Sequence, residues 1–166
     1  MQIDPRGQRF AAAITTVVLA IALVTSNVWV VGFQAVVFAI AAFIGLQASP
    51  YGWLYKKLVR PRLGPPAELE DARPPRFAQL VGFVFATVAT LGFATGVDLV
   101  GTVATALALG AAFLNAAFGF CLGCEIYLLA RRVTHRSTLS TTPAAAPAAS
   151  NDINAAAPAA SKEVSA

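Results

Sequence analysis

Two cysteines, Cys121 and Cys124, stand three residues apart, followed at once by Glu125 and six positions later by Arg131 and Arg132; the chain has no other cysteine. On a helix, positions three and four apart share a face, so a helical reading brings both thiols and the carboxylate together. Thiols at this spacing reach disulfide distance with modest adjustment. The pair therefore suits thiol–disulfide exchange, with Glu125 as an adjacent acceptor for a thiol proton. The same two sulfurs could clasp a soft ion such as Cu(I), which is content with two or three ligands, whereas Zn(II) prefers a closed tetrahedral set. A third reading has no chemistry. Gly119 and Gly123 form a G-x-x-x-G, and Ala111, Asn115, Gly119 and Gly123 make a ridge of small residues along which helices pack in lipid, where cysteine is another small apolar residue. The candidate catalytic residues are thus Cys121, Cys124 and Glu125, and the candidate metal ligands Cys121 and Cys124. His135 is the one further soft ligand, and it lies beyond the apolar run. No Ser/His/Asp set and no phosphate-binding glycine loop occurs, which argues against hydrolysis and phosphoryl transfer.

The elements that hold these residues follow from composition. Of 166 residues, 57% are hydrophobic and 12% charged, with mean hydropathy +0.68. A small core cannot hide that much apolar surface from water. Charge-free runs of the length a bilayer core of ~30 Å demands predict an all-α membrane protein of four transmembrane helices. They fall at about 10–26, 28–48, 77–97 and 106–130, within a domain of residues 1–136. If the fourth span ends near Ala130, the cysteines lie inside the bilayer; if it begins at Leu99, they lie at its mouth. Ala11–Thr25 also resembles the apolar region of a signal peptide, but Asp4 is unusual before one and Val24-Thr25-Ser26 is a poor cleavage site.

Arginine and lysine cluster before the first span, between the second and third, and after the fourth; the turns near Asn27 and Asp98 have none. Such a bias places both termini and the 49–76 loop in the cytoplasm of a cell-membrane protein. The net charge of +4 suits anionic lipid and offers no support for nucleic-acid binding.

Arg9-Phe10-Ala11 and Arg76-Phe77-Ala78 open the first and third spans, which suggests two parallel helical hairpin repeats. The proline-rich 49–76 loop excludes a long helix, but Gly52–Arg60 suits a short surface helix with Trp53, Tyr55 and Leu58 among the headgroups. There Glu68, Glu70 and Asp71 offset neighbouring arginines rather than gathering a metal. Residues 137–166 are rich in Ala, Pro, Ser and Thr and predict a disordered tail.

The sequence resembles the DUF4395 family of bacterial, mainly actinobacterial, integral membrane proteins. Asp4-Pro5-Arg6-Gly7 with Arg9-Phe10, Pro50-Tyr51-Gly52, Glu70-Asp71, Pro75-Arg76-Phe77-Ala78 and Phe120 through Tyr127 carry the likeness. It covers nearly everything up to Arg132 and implies membership without an activity. The residues themselves leave three readings open. One is a redox component exchanging with a cytoplasmic thioredoxin-like or sulfur-transferase partner. With both cysteines on one helix, it would need a second carrier, such as a quinone held by a partner, to move electrons across the bilayer. The others are a protein for a soft metal or sulfur species, and a structural subunit.

Overall fold

The computed structural model describes residues 2–64, 66 and 69–139. Helix α1 (Pro5–Thr25) starts at Asp4, whose carboxylate accepts the Arg6 N–H at 2.9 Å, with Pro5 in the first turn where its missing donor costs nothing. It stops at Ser26 in the left-handed region, and Asn27 caps α2 (Val28–Ala39) by accepting the Trp29 N–H. A π-helical turn, Ile40–Ile44, extends α2 and closes with Gly45 N–H donating to the Ile40 carbonyl. Next come α3 (Pro50–Leu54), a second π turn (Tyr55–Val59) and α4 (Arg60–Leu63), a surface helical segment set off by its caps. The wider π turn gives the Pro61 ring the room that an α-turn would deny it. Helices α5 (Arg73–Ala94), α6 (Asp98–Phe118) and α7 (Leu122–Leu139) complete the described residues. Two short strands, β1 (Gln2–Ile3) and β2 (Glu70–Asp71), pair antiparallel and bring the starts of α1 and α5 to one end.

Three helices, Pro5–Thr25, Arg73–Ala94 and Asp98–Phe118, are long and apolar enough to cross a membrane; Val28–Ile44 is apolar but shorter. Inside, Leu19 and Val31 are fully buried among alanines 22, 35, 86, 89, 104 and 108. Small residues let the backbones approach where lipid, being as apolar as leucine, supplies no hydrophobic drive. At Gly92 a β-carbon would meet the Gly101 backbone nitrogen at 2.6 Å, so α5 and α6 touch main chain to main chain. Outside, Val17, Ile21, Val84, Val103 and Leu107 are about half exposed. In water each would forgo part of the ~1.5–3 kcal/mol its burial supplies, a loss a bilayer removes.

The halves repeat their contacts. Asp4-x-Arg6-x-x-Arg9-Phe10-Ala11 recurs as Asp71-x-Arg73-x-x-Arg76-Phe77-Ala78, and Asp71, like Asp4, accepts the N–H two residues on. Phe10 meets the Tyr55 ring at 5.8 Å and 47°, and Phe77 meets Tyr127 at 5.7 Å and 46°. Helix α1 packs on α6 of the other half, and α5 on α2.

Two expectations need correction. The single helix expected over 106–130 is two helices, because Gly119 adopts φ 70 and ends α6. There Gly119 N–H donates to the Asn115 carbonyl, the single bond of a helix stop closed by a left-handed residue, and Phe120 N–H reaches back to the Leu114 carbonyl. The small-residue ridge is therefore broken at Gly119. Tyr55, expected among headgroups, is buried and donates to Asp4, while Trp53 is exposed with Lys57 over its ring at 4.8 Å. Helix α7 runs to Leu139; of the expected tail, residues 140–166 lie outside the described residues, as does Glu68 in the loop.

Candidate functional site

Cys121 and Cys124 are joined as a disulfide with their Cα atoms 5.2 Å apart, within the span such a bond requires. They do not sit mid-helix. Cys121 precedes α7 and caps it: its sulfur accepts the Cys124 N–H at 3.3 Å, and its carbonyl accepts the Glu125 N–H at 3.1 Å. The first half builds the same start with an oxygen. Ser49 Oγ accepts the Gly52 N–H at 3.1 Å before α3. Sulfur is the weaker acceptor as a disulfide but gains strength as a thiolate.

Both cysteines are part-exposed, and Phe120 and Leu122 beside them are 47% and 38% exposed. Glu125 is exposed in the first turn of α7, where its charge also suits the positive end of the helix. Gly123 is required for packing, since a β-carbon there would lie 2.6 Å from Ala78. That contact sets α7, and the disulfide on it, against α5.

The end of the bundle carrying the disulfide is also the basic end. Arg9 lies beside Gly119, with its Nε 3.7 Å from where a β-carbon would be. Arg76 donates through Nε and Nη2 to the Ala42 carbonyl and through Nη2 to the Phe43 carbonyl, at 3.0–3.1 Å. These carbonyls belong to the π turn that ends α2, so the guanidinium neutralises the negative end of that helix.

A cavity of about 290 Å³ opens among α1, α2, α3 and α5. Thr15 and Tyr51 line it, and a buried network stands behind them. Tyr51 Oη–H donates to Gln34 Oε1 at 2.8 Å, and Gln34 Nε2–H donates to Thr15 Oγ1 at 3.4 Å. Gln34, fully buried, thus bridges helices as its polarity in an apolar run suggests. Desolvation raises the Tyr51 phenol above the usual tyrosine range and keeps it a donor. Tyr55 also lines the cavity. Its phenol is raised by desolvation first, then by its hydrogen bond to the Asp4 carboxylate and that negative charge. Gln8 connects the two features, for it lines the cavity and donates through Nε2 to Cys124 Sγ at 3.7 Å.

The three sequence candidates are together at one helix start, although only Cys124 and Glu125 are within the helix. Among the described residues, no group of three or more His, Cys, Asp and Glu side chains gathers in a form that could hold a metal. The disulfide offers no thiolate, so Cu(I) binding would require its reduction first. The His135 side chain lies outside what is described. Sequence reasoning missed the cavity and Gln8. A signal was present for the helix break: Gly45 and Ser49-Pro50 stop and restart the first half where Gly119 and Cys121 do so in the second.

Comparison with curated proteins and with solved structures returns no match. The family model described as domain of unknown function DUF4395 matches residues 3–132, a stretch that takes in α1 through α6 and the disulfide. The chain belongs to the DUF4395 family.

Proposed function

We propose that this protein is a membrane thiol–disulfide component whose Cys121–Cys124 pair cycles between disulfide and dithiol with a thioredoxin-like or sulfur-transferase partner. The observation that carries this reading is a part-exposed disulfide at a helix start, flanked by exposed Phe120 and Leu122. A partner thiolate attacks one sulfur, and the S–S electron pair leaves on the other. A second partner thiolate then displaces the mixed disulfide, so the partner is oxidised and this pair reduced by two electrons. Cys121, once released, is favoured as a thiolate by the Cys124 N–H and by the positive end of α7. The charge of Glu125 opposes a thiolate, so its role is to accept and return a proton.

In this reading α2 with its π turn is the fourth span. Its 12 α-helical and five π-helical residues reach about 25 Å at 1.5 Å per residue, short of the ~30 Å core, so the bilayer thins there or the flanks snorkel. The paired Asp caps and ring contacts support two parallel hairpin repeats. The basic end faces the cytoplasm of the cell membrane, with both termini there. Both sulfurs are on that side, so electron flow across the bilayer takes a further carrier, for instance a quinone on a partner.

The test is thiol trapping in cells. Alkylation before and after a reductant should find the pair in both states, and Cys121→Ser should accumulate a mixed disulfide through Cys124. A pair found in one state only, together with a Cys121→Ser/Cys124→Ser chain that keeps its cellular phenotype, would end the proposal. A non-permeant thiol label should modify Val97→Cys, and not Cys121 or Cys124, in intact cells; labelling of the native pair from outside would reverse the orientation.

A further inference from the structure

The cavity beside the disulfide has chemistry of its own. Its described lining residues include two cations, Lys56 and Arg60, and a single carboxylate, Asp4. Both Asp4 oxygens are already engaged, one by the Arg6 N–H at 2.9 Å and the other by Tyr55 Oη–H at 2.9 Å. The amide groups of Gln8 and Gln79 add neutral donors. Deeper in, Val37 and Ala41 make an apolar floor. A rim of cations over a short apolar floor suits a small amphiphile with one anionic group, and about 290 Å³ is at the lower end of the range of ligand pockets. Gln8 separates this space from Cys124 Sγ by one hydrogen-bonded side chain.

We infer that the cavity receives a small organic thiol bearing an acid group, which reduces the Cys121–Cys124 disulfide. This inference rests on the redox reading above and names the class of its electron donor. Gln8 swings aside, and the donor thiolate attacks Cys124 Sγ. The S–S bond breaks with its electron pair on Cys121 Sγ, where the Cys124 N–H receives the charge. A second donor thiolate attacks the donor sulfur of the mixed disulfide. It releases Cys124 as a thiolate and leaves as the donor disulfide. Two thiols are oxidised, one disulfide is reduced, and the protons exchange with water.

The probe is 3-mercaptopropionate against its neutral counterpart 2-mercaptoethanol, applied to the full-length protein in micelles. The rate of disulfide loss is read by quenched alkylation and mass shift, and compared per thiolate. The acid should show a saturating rate and an advantage of about tenfold at low concentration, the scale set by one anion near two partly solvated cations. Lys56→Gln/Arg60→Gln should abolish the advantage, since both side chains are exposed and their loss leaves the bundle intact. Lys57→Gln/Arg62→Gln removes the same charge outside the cavity and should retain it. Equal, unsaturating rates for the two thiols would overturn the inference, as would equal losses in both double variants. In either case a pair that dithiothreitol still reduces and that still cycles in cells leaves the redox reading standing; a pair that never cycles removes both.

Discussion

Gly123→Ala tests the packing that holds the disulfide in place. A β-carbon at position 123 would lie 2.6 Å from both Cα and Cβ of Ala78. Carbon atoms in contact rest at about 3.5–4.0 Å, so α7 must retreat from α5 by roughly 1 Å. Overpacking of this kind costs about 1–3 kcal/mol. The retreat also loosens the Phe77–Tyr127 ring pair, worth about 0.5–1.5 kcal/mol. Replacing glycine in a helix returns at most about 1 kcal/mol, and less here because position 123 is in the first turn. The expected net loss is about 1–3 kcal/mol, measured as unfolding in mixed micelles with increasing denaturing detergent. Gly110→Ala is the internal control. Nothing lies within 4 Å of its β-carbon, so the change should be neutral or stabilising by up to about 1 kcal/mol. A second readout separates α7 from the bundle as a whole: dithiothreitol should reduce the disulfide faster in Gly123→Ala than in Gly110→Ala. If Gly123→Ala is as stable as the parent and its disulfide no more accessible, α7 does not pack on α5 as described.

Two further outcomes follow from named contacts. Arg76→Met removes three charge-assisted hydrogen bonds from the end of α2 and should cost about 2–3 kcal/mol in the same unfolding assay, with Arg76→Lys intermediate. Tyr55→Phe deletes the bond to Asp4 and should cost about 1–2 kcal/mol near neutral pH. The folded Tyr55 phenol is held above its ordinary value. Its contribution is therefore whole below that value and is lost as pH climbs through the raised one, so the parent should weaken in alkali relative to Tyr55→Phe. A constant gap between the two across the alkaline range would count against that hydrogen bond.

The membrane class was legible in the sequence, because a helix in lipid needs an uninterrupted apolar stretch and charge cannot hide there. The stretches expected at 10–26 and 77–97 fall on α1 and α5, which are long and apolar enough to cross a membrane, and the one expected at 28–48 falls on the shorter α2 with its π turn. The basic end was legible as well, since Lys and Arg avoid the opposite turns. The fourth span was misplaced because Gly119 has two meanings in an apolar run. It can seat a neighbouring helix, or it can take the left-handed conformation that ends its own. Only the backbone reveals which, and here the repeat of the first half was the available hint.

The local sequence was enough to place two sulfurs and a carboxylate within five consecutive residues, so that little chain separates them. It could not determine where that stretch sits or what faces it. Gln8 reaches Cys124 across 116 positions, and Tyr51 reaches Gln34 across 17. Those meetings depend on α1 packing against the opposite half and on α3 folding back over the bundle. Such non-local contacts arise from the close packing of small residues on several helices at once, and no single stretch of chain contains them.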